Sequence, residues 1–346
     1  MAVLSLLLLM VSLAPAQTQL RVFSRIMRGA RVIPFFVLCL LSTTLLCAQP
    51  FRWTREQMIH FTPENPFERF PDGRPKVPDE LLEKVKGLSV EEAWGILIGK
   101  GYTHQHAGSG FKILHPGRKL VGRAVTAQYL PTRPDLEKVL VADGKKQGLP
   151  SGTNQKVIDL LQLNDVPVVD LMGAAQGHNF GGDNLQAAIY GATRTGAVVD
   201  GTVRDLEGLV ELPTQIYFRD GHPAAVAGVN VIGINIPVKI GEAIVMPGDV
   251  VLGDRTGIMF IPPQLVKEIV DKAELTHIHD EWTKKKFLTG KYKASELYGG
   301  PLSRLPITFL LDRDGRMLKR WVGYAPAKEI VFTVRKLLGP PAGVNQ

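Results

Sequence analysis

The stretch from residue 166 to residue 205 most constrains how this chain folds. Residues 166–171 and 197–203 are short apolar runs rich in β-branched side chains, which predicts two buried strands. Between them, a glycine-rich loop is followed by residues 183–195, where apolar side chains recur at helical spacing. The order strand, loop, helix, strand is typical of α/β folds with parallel strands. We therefore predict the α/β fold class.

Charged residues stand at the two ends of this pattern. Arg204 and Asp205 directly follow the second strand, and Asp183 lies near the start of the helix. Ligands of open α/β sheets bind beyond the carboxyl ends of strands. A carboxylate can hold a hard divalent cation, and a neighbouring guanidinium can hold an α-keto acid against it. The alternative is that Asp183 is an ordinary helix N-cap and that Arg204 and Asp205 form a surface ion pair of little value.

An Asp followed after 20 residues by Arg-Asp, as in 183–205, resembles the aldolase signature of the RraA-like family. That family contains 4-hydroxy-4-methyl-2-oxoglutarate aldolases and "regulator of ribonuclease activity A" proteins, and its members are often mislabelled demethylmenaquinone methyltransferases. The resemblance extends over roughly residues 88–290 and includes the blocks at 120–126 and 247–257. It implies a swivelling α/β/β layered domain that forms homotrimers or homohexamers with active sites at subunit interfaces.

The resemblance also implies a role for each site residue. Asp205 corresponds to the direct ligand of a divalent cation, Mg²⁺ or Mn²⁺, and Asp183 to the carboxylate that reaches the metal through a water. Arg204 corresponds to the residue that binds the pyruvyl unit of a small 2-oxo acid substrate. The backbone that receives the substrate carboxylate corresponds to Gly182, Asp183, Asn184 and Leu185.

These parts suit a class II pyruvate aldolase. Retro-aldol cleavage of a 4-hydroxy-2-oxo acid leaves negative charge on the pyruvyl oxygen, which a metal and Arg204 would stabilise. Decarboxylation of oxaloacetate develops the same charge, so we expect it as a side activity. A Schiff-base mechanism would need a desolvated lysine. Lys239 is the one candidate, but the alternating pattern of 235–240 predicts that it faces outward.

Two loops depart from the usual family pattern, at 173–181 and 219–223. Both are expected near the site, so the part of the substrate beyond the pyruvyl unit stays open. His178 or His222 is a candidate for contact with a second carboxylate or for proton transfer. The alternative for each is an ordinary loop histidine.

Residues 1–48 predict an export segment. Arg28 and Arg31 precede the apolar run 32–46, which ends before Ala48, so basic, apolar and small-residue regions follow in the order of a secretory signal. We predict cleavage after Ala48 and a periplasmic or secreted protein. Each apolar run is shorter than the roughly 20 residues that a bilayer-spanning helix needs.

Two details of this segment bear on the mature protein. Met27 is the expected true start, and Cys47 is an alternative site of lipidation, which would give the mature chain its only membrane attachment. Because Cys39 and Cys47 are the two cysteines of the chain, cleavage would leave no thiol. Residues 1–48 contain four arginines and no acidic residue, so cleavage lowers the formal net charge from +8 to +4. That charge does not indicate a nucleic-acid partner.

The remaining regions flank the catalytic domain, which we place at 86–290. The proline-rich residues 49–85 predict an extended arm that wraps a neighbouring subunit. Residues 303–346 resemble the last hairpin and helix of TlpA-type thioredoxin-like proteins, with a candidate cis-proline at Pro306. No Cys-x-x-Cys accompanies them, so we interpret this remnant as a docking appendage without thiol redox activity.

Two other function classes stay open at this stage. One is a non-catalytic binding or regulatory protein, and the other is a different lyase or isomerase that uses the same metal and enolate chemistry. The complete set of Asp183, Arg204 and Asp205 argues for catalysis. The export segment argues against a cytoplasmic ribonuclease as the partner.

Overall fold

One mixed sheet forms the core of the described residues. The computed structural model describes residues 52–173, 178–297, 307–311, 317–322 and 327–338. In these residues, the sheet has nine strands in the order β1-β11-β10-β3-β4-β5-β6-β2, and β7 pairs with β3. Its strands are β1 (His106–Ala107), β2 (Lys112–Ile113), β3 (Leu120–Pro131), β4 (Asp165–Asp170), β5 (Gly196–Val203), β6 (Gln215–Gly221), β7 (Val229–Ile234), β10 (Val250–Asp254) and β11 (Gly257–Ile261).

The four central strands run parallel. The pairing places Thr126 of β3 opposite Val168 of β4, and Val168 opposite Val198 of β5. The side chains of β5 are buried along the whole strand, as expected for a parallel strand covered on both faces. The predicted strands at 166–171 and 197–203 are therefore confirmed, and so is the α/β class.

Helices cover one face of this sheet. The helices of the described residues up to 297 are α1 (Arg55–Phe61), α2 (Asp79–Val85), α3 (Val90–Gly99), α4 (Pro134–Lys146), α5 (Gln155–Ile158), α6 (Asp183–Thr193), α7 (Leu206–Glu211), α8 (Pro263–Phe287) and α9 (Ala294–Leu297). Apolar residues of α5, α6 and α7 pack on β3 to β7, while those of α2, α3 and α8 pack on β10 and β11. None of the described helices is long and apolar enough to cross a bilayer.

A small second sheet covers the opposite face. It is the hairpin of β8 (Val238–Ile240) and β9 (Ala243–Val245), whose buried side chains pack on Val166, Val168 and Val198. The layers are therefore helix, sheet, sheet, as the resemblance implied.

The prediction of an extended arm over 49–85 is wrong for the described part of that segment. Thr54 begins α1 with a capping box, and α2 follows at Asp79–Val85. Arg74 is buried and donates to both carboxylate oxygens of Asp165, at 2.8 and 3.0 Å. The segment packs on its own chain, because two short helices and a buried ion pair fasten it to the sheet.

The C-terminal region contains the predicted hairpin and helix. Ile307–Leu311 (β12) pairs antiparallel with Met317–Val322 (β13), and Ala327–Leu338 forms α10. The Trp321 indole donates to Glu329 at 3.1 Å, which joins hairpin to helix. Pro306 and the turn at 312–316 lie outside the described residues, as does the export segment over 1–48.

Candidate functional site

The three charged residues singled out in the sequence lie together in one cleft at the carboxyl end of β5. The cleft is open to solvent and spans about 480 Å³ of empty space, open solvent included. Asp183 enters it from the start of α6, and Arg204 and Asp205 enter from the turn between β5 and α7. The rest of its lining is Asn154, Asn179, Gly181, Gly182, Asn184, Leu185, Ala225 and Val226.

Asp205 is held in an unusual backbone conformation. Its φ of 59° and ψ of 43° are left-handed, a region that aspartate tolerates better than most residues. Although Asp205 is the N-cap of α7, its side chain makes no capping hydrogen bond. The carboxylate instead accepts a hydrogen bond from Arg204 Nε at 3.1 Å, with 41% of the Asp205 side chain exposed. The turn thus presents the carboxylate to the cleft rather than to the helix.

Two glycines let both carboxylates sit close to the backbone. A Cβ at Gly182 would lie 1.9 Å from Asp205 Oδ2, and a Cβ at Gly208 would lie 2.5 Å from Asp183 Oδ2. Any side chain at either position would therefore collide with a site carboxylate. Position 182 therefore requires glycine, a reason that the sequence, with its glycine-rich loop, did not reveal.

Asp183 is the first residue of α6, and Gly182 is the N-cap. The alternative that Asp183 is an ordinary N-cap is therefore wrong. Its Oδ1 accepts from the backbone N–H of Asn184 at 2.7 Å. N–H groups in a first helical turn have no acceptor within the helix, so the N–H groups at the start of α6 other than that of Asn184 can donate to an anion.

Two buried asparagines, which the sequence analysis missed, hold this turn in place. Asn179 Oδ1 accepts from Gly181 N–H at 2.8 Å, and Asn179 Nδ2 donates to the His222 carbonyl at 3.0 Å. Asn154 Nδ2 donates to the Phe180 carbonyl. An asparagine in a glycine-rich loop is a turn signal that could have indicated Asn179. Asn154 has no comparable local signal, because its partner is 26 positions away.

The two candidate histidines do not line the cleft. His178 Nδ1 lies 3.3 Å from the Ala227 carbonyl, and His222 Nδ1 accepts from Ala224 N–H at 3.2 Å. Both contacts favour the loop role over a catalytic one. The first unusual loop does reach the cleft, through Asn179.

Two other charged residues are directed elsewhere. Arg219, which the sequence placed in the second unusual loop, lies on β6 instead. It donates to the buried Asp200 at 2.6 Å, and its guanidinium lies 3.9 Å from the centre of the Phe111 ring. Lys239 is exposed on β8, 3.8 Å from Glu242, as the alternating pattern predicted. Neither side chain lines the cleft, so a Schiff-base role for Lys239 is not supported.

Comparison with known proteins identifies the family of the domain that contains the cleft. The family model described as RraA-like, Aldolase/RraA, matches residues 89–260. The chain belongs to the RraA-like family. That family includes aldolases and non-catalytic regulators.

Among curated relatives of this RraA-like chain, an uncharacterized protein of Methanocaldococcus jannaschii, MJ0644, is 31% identical over 108 residues, which is 31% of this chain and 51% of that protein. A putative 4-hydroxy-4-methyl-2-oxoglutarate aldolase of Halalkalibacterium halodurans is 29% identical over 134 residues, 38% of this chain and 63% of that protein. The matches thus span between half and two-thirds of these relatives.

The fold of the RraA-like domain also matches a solved structure. Streptomyces coelicolor RraAS2, described as an unusual member of the RNase ES inhibitor RraA protein family, is 28% identical with a TM-score of 0.51. The match covers 63% of this chain and 99% of RraAS2. The match supports the RraA-like α/β fold of this chain.

The donor set of the cleft fits a hard divalent cation. In the part of the chain that the structure describes, no three His, Cys, Asp or Glu side chains cluster as a metal cage. Mg²⁺, however, commonly uses one or two carboxylates and completes its shell with water and substrate. Asp205 and Asp183 are two partly exposed carboxylates in one cleft, each seated against a glycine. They suit a site of that kind.

Proposed function

We propose that this RraA-like protein is a divalent-metal-dependent aldolase that releases pyruvate from 4-hydroxy-2-oxo acids such as 4-hydroxy-4-methyl-2-oxoglutarate. Decarboxylation of oxaloacetate is the expected side activity. The observation that carries the proposal is the convergence of Asp183, Arg204 and Asp205 in one cleft. The relative that bears an aldolase name supports the choice of reaction.

In this mechanism Arg204 binds and orients the substrate. Its Nε is hydrogen-bonded to Asp205, which fixes the plane of the guanidinium. We assign the two terminal nitrogens of Arg204 to the carboxylate of the pyruvyl unit, because a planar fork matches a carboxylate with two parallel hydrogen bonds. The backbone N–H groups at the start of α6 add donors to the same anion.

The two carboxylates would share the work of holding the cation and a proton acceptor. Asp205 would hold Mg²⁺ or Mn²⁺ directly, and Asp183 would hold it through a water. The cation, when bound, supplies electrostatic stabilisation of the charge that develops on the pyruvyl oxygen as the carbon–carbon bond breaks. Asp183 also positions the water that takes the proton from the substrate 4-hydroxyl.

We further propose that the mature protein is exported and works as a homotrimer or homohexamer. Val226, which lines the cleft, and Leu206, which follows Asp205, are exposed apolar side chains, and exposed apolar surface of this kind favours burial against another subunit. The basic, apolar and small-residue order of 1–48 supports export.

The test is pyruvate release by the purified protein. 4-Hydroxy-4-methyl-2-oxoglutarate and oxaloacetate would be offered separately, with Mg²⁺ or Mn²⁺ and again with excess chelator. Chelator-sensitive pyruvate release is the expected result. Metal binding without pyruvate from either compound would contradict the aldolase and leave a different oxo acid reaction. Absence of metal binding would favour the non-catalytic, regulatory class of the family.

A further inference from the structure

A second cavity lies at the amino end of the parallel strands, opposite the end that carries the cleft. It holds about 950 Å³ of open space and is bounded by residues 61–65, the turn before β10 and the start of α8. Val250, the first residue of β10, pairs with Arg123 of β3, and Arg123 also pairs with the first residue of β4. The cavity therefore lies at the amino end of the parallel strands, whereas the cleft lies past the carboxyl end of β5. The two sites are therefore separate.

A buried carboxyl group, that of Asp249, lines this cavity. The Asp249 side chain is 2% exposed, and its Oδ2 accepts a hydrogen bond from Met246 N–H at 2.8 Å. Among the described residues that line the cavity, none is basic. Burial raises the pKa of Asp249 to about 7, with the Met246 hydrogen bond acting in the opposite direction. A buried charge without a partner is costly, so this carboxylate favours a cation beside it.

The walls of the cavity suit the body of an organic cation. Phe61 and Tyr102 contribute aromatic rings, and Ile244 contributes an exposed apolar side chain. Aromatic rings attract ammonium groups as well as apolar groups. Gln264 Nε2 donates to the Tyr102 hydroxyl at 3.1 Å, and Glu64 adds a second acidic side chain.

We propose that this cavity binds a small organic cation, a primary ammonium with an apolar body, whose ammonium group pairs with Asp249. The proposal does not depend on the aldolase activity, since no residue of the cleft lines this cavity. Its ligand would be an amine rather than an oxo acid. The Met246 N–H occupies one carboxylate oxygen and leaves the other for the ammonium.

Such binding would release a proton. Near pH 7 the Asp249 carboxyl is partly protonated in the free protein, and an ammonium beside it favours the charged form. Amine binding at pH 7 should therefore displace part of a proton from this carboxyl group. The heat of binding then depends on the ionisation enthalpy of the buffer, which a purely apolar contact would not produce.

The experiment is calorimetric titration of the full chain with 2-phenylethylamine at pH 7, in phosphate and in HEPES, neither of which is a primary amine. We expect saturable binding, a heat that differs between the buffers, and no binding of the uncharged 2-phenylethanol. Asp249→Asn keeps an acceptor for Met246 N–H but loses the charge, so it should bind the amine at least about tenfold more weakly and lose the buffer dependence. Asp205→Asn, altered in the other site, should bind the amine as the wild type does.

Two results would overturn the proposal. One is absence of saturable amine binding to the wild-type protein, and the other is equal binding by Asp249→Asn. Phe61→Ala provides a second test should Asp249→Asn fail to fold, because the Phe61 ring is exposed at the cavity wall. Unchanged amine affinity in Phe61→Ala would also contradict the proposal.

Discussion

Two aspartates at opposite ends of the strands of one sheet have different surroundings. Asp205 is 41% exposed and accepts a hydrogen bond from Arg204, so water and a guanidinium solvate its charge. Asp249 is 2% exposed and accepts only a backbone hydrogen bond among the contacts of the described residues. The same chemical group therefore suits two tasks: at Asp205 to hold a hydrated metal beside an anion, and at Asp249 to hold a proton until a cation replaces it.

Among the variants of the cleft, Asp205→Ala should have the largest effect on activity. We expect kcat/KM for pyruvate release to fall more than about 100-fold, because even residues that only support metal ligands cost 10- to 100-fold. Calorimetry with Mn²⁺ should show loss of metal binding. The protein should stay folded, with a stability loss of about 1 kcal/mol because alanine tolerates the left-handed backbone less well than aspartate. Asp205→Asn, which tolerates the left-handed backbone, should lose activity as well. An active Asp205→Asn protein would show that the backbone, and not the charge, matters.

Arg204→Lys tests the anion side of the cleft. Lysine keeps the charge but loses the planar fork and the Nε hydrogen bond to Asp205, so kcat/KM should fall about 10- to 100-fold. Steady-state kinetics with oxaloacetate measure this. Arg133→Lys is the matched control, since Arg133 is an exposed arginine whose Nε lies 2.8 Å from Asp135. An equal loss in both variants would contradict a specific role for Arg204.

Gly182→Ala tests whether activity requires the Asp205 carboxylate to lie against Gly182. Its methyl group would lie 1.9 Å from Asp205 Oδ2, so the carboxylate must move, and we expect about a tenfold loss of kcat/KM. Gly191→Ala, on the same helix, has no atom within 4 Å of the new methyl group. It should keep full activity and gain about 0.5–1 kcal/mol of stability. Full activity of Gly182→Ala would show that the position of Asp205 does not limit the reaction.

The acids of the cleft could be predicted because their signals are local. The strand at 197–203 and the helix that begins at Asp183 follow from apolar periodicity, and the charged residues stand at their ends. Once β5 and α6 were placed, Asp183, Arg204 and Asp205 had to lie near one edge of the sheet. The support given by Asn154 and Gly208 could not be predicted, because each contact joins segments whose approach only the fold determines.

The same reason explains the error over the N-terminal segment. Its prolines suggested an extended arm, yet Arg74 pairs with Asp165, 91 positions away. Helices α1 and α2 have seven residues each, too few for periodicity to identify them. The sequence shows Asp249 only as part of a family motif. The burial of its carboxyl group could not be predicted, because it depends on which residues the tertiary structure places around it.

The pH dependence of the free energy of unfolding should also distinguish Asp249 from Asp205. Burial raises the pKa of Asp249 from an ordinary 3.8 to about 7, so the folded protein retains a proton that the unfolded chain has already released. Its contribution to stability is complete below about pH 4 and is lost as the pH rises through about 7. Asp249→Asn removes this loss. Its free energy of unfolding should therefore exceed that of the wild type by an amount that grows from pH 4 to pH 7 and reaches about 1–4 kcal/mol at pH 8. Urea unfolding at pH 5 and pH 8 measures it, with Asp205→Asn as the exposed control. Pyruvate release should be unchanged in Asp249→Asn. A difference in the free energy of unfolding that does not grow with pH would show that the fold does not hold Asp249 protonated.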